Sequence, residues 1–229
     1  MLQSIKQICG DKIGATDGEI GAAKDFYFDD QRWVVRYLVA DTGTWLPGQL
    51  VLISPHAFKE LYQPGKVLLV KLTKKQIEDC PSIDAHKPVS RQYEEEYYRY
   101  YGWPTYWQGD GVWGMSGFPI LSDPVGAASP APAIKTNVPA EPFDTHLRSA
   151  QAIIGYQIQV GEEIVGQVAD FMVDDKSWII GQLVINTGNR FFGKNVLLKP
   201  SEIERISFDE SKLHLKISKA EFLQAPAAI

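Results

Sequence analysis

The residues of this chain best suited by type and spacing to do chemistry are six aspartates. Asp25, Asp29 and Asp30 recur as Asp170, Asp174 and Asp175. Carboxylates held together can bind a hard cation or share a proton as general acid and base. Ahead of a turn the same residues do something simpler, because their oxygens accept from N–H groups two or three positions on. Neighbouring side chains of a strand point to opposite faces, so Asp29 and Asp30 would not share one site. The turn reading is the one the pattern favours. His56, His86, His146 and His214 are scattered, and no Ser/His/Asp or Cys/His set assembles from them. Cys9 and Cys80 lack metal or CxxC spacing and read as small buried apolar side chains. Gly21, Gly43 and Gly48 recur as Gly166, Gly188 and Gly193, but without the strand-then-helix context of a phosphate loop. Trp33 and Trp178 open apolar runs and read as core or lid aromatics. The expectation is a non-enzymatic protein with no catalytic, metal or cofactor residues.

One segment has a stronger claim to function. Ser90 is a candidate N-cap, Glu94, Glu95 and Glu96 suit the positive end of a helix dipole, and Gly102 with Pro104 forms a stop. The spacing predicts a helix over Arg91–Tyr101 with Tyr93, Tyr97, Tyr100 and Tyr101 on one face. A loop holding Trp103, Tyr106, Trp107 and Trp113 follows. Tyr, Trp and Arg are the usual anchors of interfaces. Tyr97, Tyr101, Trp103, Tyr106, Trp107 and Trp113 are therefore the candidate partner-binding set, with Tyr97 and Tyr101 expected inward and Trp103 and Trp107 outward. The competing reading has the same face packing inside the molecule and fixing the arrangement of its parts.

The elements around these residues come in two copies. At an offset of 145 residues, 20–81 aligns with 165–226 without a gap, and 18 of the 62 positions are identical. This is a duplication, and two copies with a long insert are two units rather than a solenoid. Each copy predicts a strand (21–28, 166–173), an Asp-Asp turn, a return strand (33–40, 178–185), a third strand (49–53, 195–198) and a late strand (67–72, 212–217). Thr73-Lys-Lys-Gln76 and Ser218-Lys-Ala-Glu221 fit the capping box, so a short helix ends each copy near Pro81 or Pro226. Several short strands in so small a unit predict a closed barrel, which removes exposed edges. The expected organisation is a first module over 1–85, an aromatic helix-loop insert over 86–121, an Ala/Pro-rich linker over 122–148 and a second module over 149–229. The repeat suggests that the modules pack as a pseudo-dimer within one chain.

Composition is that of a folded globular protein, 45% hydrophobic and 22% charged. The net charge of −5 gives no basic footprint for nucleic acid. No apolar run reaches the roughly 20 residues that span a bilayer, and the first residues lack a signal-peptide core. The expectation is a cytoplasmic protein without direct membrane insertion.

The shared pattern of Asp25-Phe26, Asp29-Asp30 and Trp33, the Asp41-Thr42-Gly43 turn, the Leu52–Pro55 strand end and the Thr73 capped helix, each with its second copy, resembles the PRC-barrel family. That family includes the cytoplasmic part of the photosynthetic reaction centre H subunit and ribosome-maturation factors. The resemblance covers both copies, and the Tyr-Tyr-Arg-Tyr-Tyr-Gly-Trp-Pro segment looks like the insert of tandem bacterial members. It implies a mainly β fold of two small PRC-type barrels with short C-terminal helices. For function it implies a bacterial adaptor or assembly module with a protein partner. A second implication is a soluble accessory of a photosynthetic or respiratory electron-transfer complex, associated peripherally with that membrane complex. A third is an RNA-processing or ribosome-associated factor, which the acidic charge disfavours.

Overall fold

The computed structural model describes residues 1–43, 45–46, 50–59, 67–81, 89–120, 147–188 and 194–228. The first copy contains β1 (Leu2–Ser4), α1 (Ile5–Ile8), β2 (Lys12–Ala15), β3 (Gly18–Asp29), β4 (Val34–Asp41), β5 (Leu50–Ile53), a 3-10 turn at Pro55–Ala57, β6 (Leu68–Leu69) and α2 (Lys74–Glu78). The insert supplies α3 (Arg91–Tyr101). The second copy contains β7 (Leu147–Ser149), α4 (Ala150–Ile153), β8 (Gln157–Val160), β9 (Glu163–Asp174), β10 (Ile180–Asn186), β11 (Asn195–Leu198), a 3-10 turn at Pro200–Glu202, β12 (Ile203–Ser207), β13 (Lys212–Leu215) and α5 (Lys219–Leu223). The protein is mainly β. Among the described residues, one sheet runs β5-β4-β3-β2-β6 and the other β11-β10-β9-β8-β13-β12.

Both predicted capping boxes form. Thr73 Oγ1 accepts from Gln76 N and Ser218 Oγ from Glu221 N, with Gln76 and Glu221 reaching back to the cap N–H groups. Helix α3 has the predicted bounds, with Ser90 as its N-cap and Gly102 left-handed at φ 71° as its stop. The first strand of each copy is longer than predicted and the late strand shorter, reduced to Leu68–Leu69 in the first copy. Trp33 and Trp178 lie in the turns before β4 and β10 rather than in the strands, with φ of 54° and 59°. Much of the 86–121 insert is described, whereas most of the predicted 122–148 linker lies outside the described residues. Strand β7 begins at Leu147, within the last two residues of that stretch.

The duplication extends further than the identities suggested. Elements β1, α1 and β2 repeat at the same offset as β7, α4 and β8, but the first pair is exchanged. Strand β1 pairs with β9 of the second copy, Leu2 opposite Asp174 and Ser4 opposite Met172. Strand β7 pairs with β3 of the first, Leu147 opposite Asp29 and Ser149 opposite Tyr27. Between the sheets, Val35 N donates to Trp178 O (2.9 Å) and Ile180 N to Trp33 O (2.7 Å). The left-handed turns thus turn two tryptophan carbonyls across the seam. Phe28 packs on Phe171 at 5.6 Å between ring centroids, and Phe26 stacks with Trp178 at 6.1 Å. One chain therefore reproduces the reciprocal geometry of an isologous pair.

Candidate functional site

The six aspartates are all engaged. Asp25 Oδ2 accepts from Ser149 Oγ at 2.5 Å, and Oδ1 accepts from Gln151 N (3.0 Å) and Phe26 N (2.7 Å). Asp170 repeats the set with Ser4 Oγ, Lys6 N and Phe171 N. Ser4 and Ser149 also cap α1 and α4. Each aspartate of this pair thus clamps the exchanged arm of the other copy. Burial, only partly offset by those donors, holds the Asp25 carboxyl above its ordinary value. Asp29 Oδ1 accepts from Gln31 N and Arg32 N, and Asp174 Oδ1 from Lys176 N and Ser177 N, which are the expected turn bonds. Asp30 pairs with Arg148 Nε at 2.7 Å, and Asp175 with the Met1 amino group at 2.6 Å. No cluster of His, Cys, Asp and Glu suited to a metal occurs among the described residues.

The insert is held by a polar socket that sequence reasoning did not identify. Strand β4 is buried on both faces because the insert covers its outer side, whereas Gly181 and Gln182 of β10 remain partly exposed. Beside bonds made at Arg32, Gln76 and Pro81, four positions on the first copy form the buried socket. Arg36 is fully buried; it donates to Val112 O and to Asp29 Oδ2 (3.2 Å) and lies 3.8 Å from the Tyr106 ring centroid. Tyr37 Oη donates to Glu94 Oε1 at 3.0 Å. Ser54 N donates to Tyr97 Oη (3.0 Å), which donates on to Leu52 O (3.1 Å). His56 Nδ1 bonds Ile120 O at 2.9 Å. In the second copy these positions are Gly181, Gln182, Lys199 and Ser201, so it lacks this socket.

Glu94 is the centre of the socket. Sequence reasoning gave it a place at the positive end of the helix dipole and no buried role, but it is fully buried. It accepts from Tyr37 Oη, from Tyr106 Oη at 2.7 Å and from Arg91 Nη1 at 3.0 Å. Burial first, then the Glu94 carboxylate, holds the phenols of Tyr37 and Tyr106 far above their ordinary range, so both remain donors.

Five of the six expected partner-binding residues lie inward. Tyr97, Tyr101, Trp103, Tyr106 and Trp113 are each at most 5% exposed, and Trp107 is half-buried with Arg91 over its ring at 4.4 Å. Trp103 was expected outward; instead it stacks on Tyr101 (4.5 Å, 16°) and on His56 (5.7 Å, 26°). Rings without accessible surface cannot meet a partner in this arrangement, so the recognition reading is corrected for Tyr97, Tyr101, Trp103, Tyr106 and Trp113, while Trp107 keeps an exposed edge. What faces solvent is the tip beyond them: Met115 at 92%, Phe118 at 61% and Ile120 at 50% exposure. The tip is anchored by bridges between Gly111 and Gly114 and between Trp113 and Ser116, and by Trp113 Nε1 donating to Ser177 O of the second copy at 2.6 Å.

Cys9 and Cys80 are free thiols, half-buried rather than fully buried; burial pushes Cys80 up to about 12. His214 is partly buried, 3.7 Å from Glu210. No helix among the described residues is long and apolar enough to cross a membrane. No protein-family model and no curated protein matches this chain.

Proposed function

We propose that this chain is a non-enzymatic adaptor or assembly module of PRC-barrel type, binding a protein partner through the Met115–Phe118–Ile120 tip. The barrel reading of each sheet draws on two features. The long strands β3 and β9 are interrupted by register shifts, and β2 pairs in parallel with β6 as β8 does with β13. The non-enzymatic reading draws on the structural duties of the aspartates. The observation that carries the binding reading is an exposed apolar tip held on a locked base. Three large apolar side chains in water on an ordered loop suit burial against a partner, and pre-ordering lowers the entropic cost of that burial.

The test is capture from native host extract by the wild type and by a Met115→Asp/Phe118→Asp variant with unchanged circular dichroism. A defined partner held by the wild type and lost by the variant supports the reading. A partner retained by the variant sinks the tip as its site. Recovery of membrane redox subunits would identify the partner as an electron-transfer complex.

A further inference from the structure

His56 is buried between the first copy and the loop that carries the tip. Its ring stacks on Trp103, meets Trp113 edge-on at 5.1 Å and Tyr98 edge-on at 5.8 Å. A carbonyl at Nδ1 requires the proton there, leaving Nε2 as a bare lone pair, and Nε2 is buried without a hydrogen-bond partner. The charged group acting on the ring is Arg36 of β4, a cation. From α3 the ring meets the phenol of Tyr98, and from the loop the indoles of Trp103 and Trp113. The two buried carboxylates of the socket are committed elsewhere, Glu94 of α3 to Tyr37, Tyr106 and Arg91, and Asp29 of β3 to Arg36 and its own turn.

We propose that His56 is an acid-sensitive latch, whose protonation at Nε2 releases the 103–120 loop and its apolar tip from the first copy. A second buried cation beside Arg36, with an N–H that finds no acceptor, favours the undocked loop, where water solvates the imidazolium. The latch rests on the proposed binding role of the tip only for its biological consequence; the release is a property of the chain alone.

Burial, with Arg36 adding to it, pushes His56 down from 6.5 to about 4. A group depressed in the docked state is neutral there, so docking is intact above 6.5 and weakens as pH falls towards 4. The separation of 6.5 from about 4 corresponds to a docking equilibrium weakened by roughly 300-fold well below pH 4, and by about half that factor at pH 4.

Amide hydrogen exchange of the full chain at pH 7 and pH 4, corrected for intrinsic rates, tests this without a partner. The expected result is loss of protection in 103–120, by up to roughly the pH 4 factor, with β9 and β10 still protected. His56→Phe, which keeps a ring but cannot titrate, should keep the loop protected at pH 4. An unchanged loop, a simultaneous loss in the sheets, or the same loss in His56→Phe overturns the latch. The imidazole titration of the wild type, followed by NMR, gives an answer even if the variant does not fold. A midpoint near 6.5 in the docked protein refutes the latch, and one near 4 supports it. Any of these results leaves the capture experiment on the tip to stand or fall separately.

Discussion

Replacing Asp25 by Ala removes the clamp on the second copy's arm and leaves three donors, Ser149 Oγ, Gln151 N and Phe26 N, without their acceptor. Each unmet donor at a partly buried site costs about 1 kcal/mol, so the expected loss is roughly 2–3 kcal/mol. Asp170→Ala removes the same set from Ser4, Lys6 and Phe171 and should cost a similar amount. Urea unfolding followed by circular dichroism measures both. The two copies share a seam, so one transition is expected, with a lower midpoint and an unchanged slope. The pH dependence has a definite sign. Asp25 is raised above its unfolded value of 3.8, so its contribution is present below that value and is lost as pH rises through the folded one. Asp25→Ala should therefore cost more at pH 4 than at pH 7. A loss below about 0.5 kcal/mol, or a second transition that ignores the substitution, would refute the clamp.

Glu94→Gln keeps one acceptor for the phenols but removes the charge facing Arg91; a loss of about 2 kcal/mol is expected, against roughly 3–5 for Glu94→Leu, by the same urea assay. At Gly21, φ is 142° and an added Cβ would sit 1.9 Å from Asp41 O, so Gly21→Ala should cost roughly 3–5 kcal/mol. At Gly43, φ is 59° and no described atom lies within 4 Å of an added Cβ, so Gly43→Ala should cost only about 1 kcal/mol by thermal unfolding.

The elements legible in the sequence are those that carry a local chemical signal. A hydroxyl three residues ahead of Gln76 or Glu221 satisfies orphan helix donors wherever it occurs, and Ser90 with Gly102 bounds α3 for the same reason. The exchange of β1 and β7 was not legible, because three-residue strands carry no period and their partners lie far away in sequence. Leu2 with Leu147 and Ser4 with Ser149 were sparse hints at the shared offset. The tyrosine face of α3 was half right. Tyr97 and Tyr101 are inward, but Tyr98 is buried too, because the helix is wrapped by its own loop as well as by β4. The burial of Glu94 was not legible, because a carboxylate in the first turn suits a solvated helix end equally well. Arg36 offered a missed signal: a lone arginine inside the run Val34-Val35-Arg36-Tyr37-Leu38-Val39-Ala40 demands a buried partner. The inward turn of Trp103 follows from His56, which no spacing rule connects to it.

The most direct test of the central claim, that one chain imitates a reciprocal dimer, is to insert a specific protease site between residues 121 and 146, cleave, and measure the mass in solution. The exchanged arms and the two seam bonds predict that the pieces stay together as a one-to-one complex with the mass of the intact chain and unchanged circular dichroism. Pieces that separate on cleavage while each stays folded would contradict it.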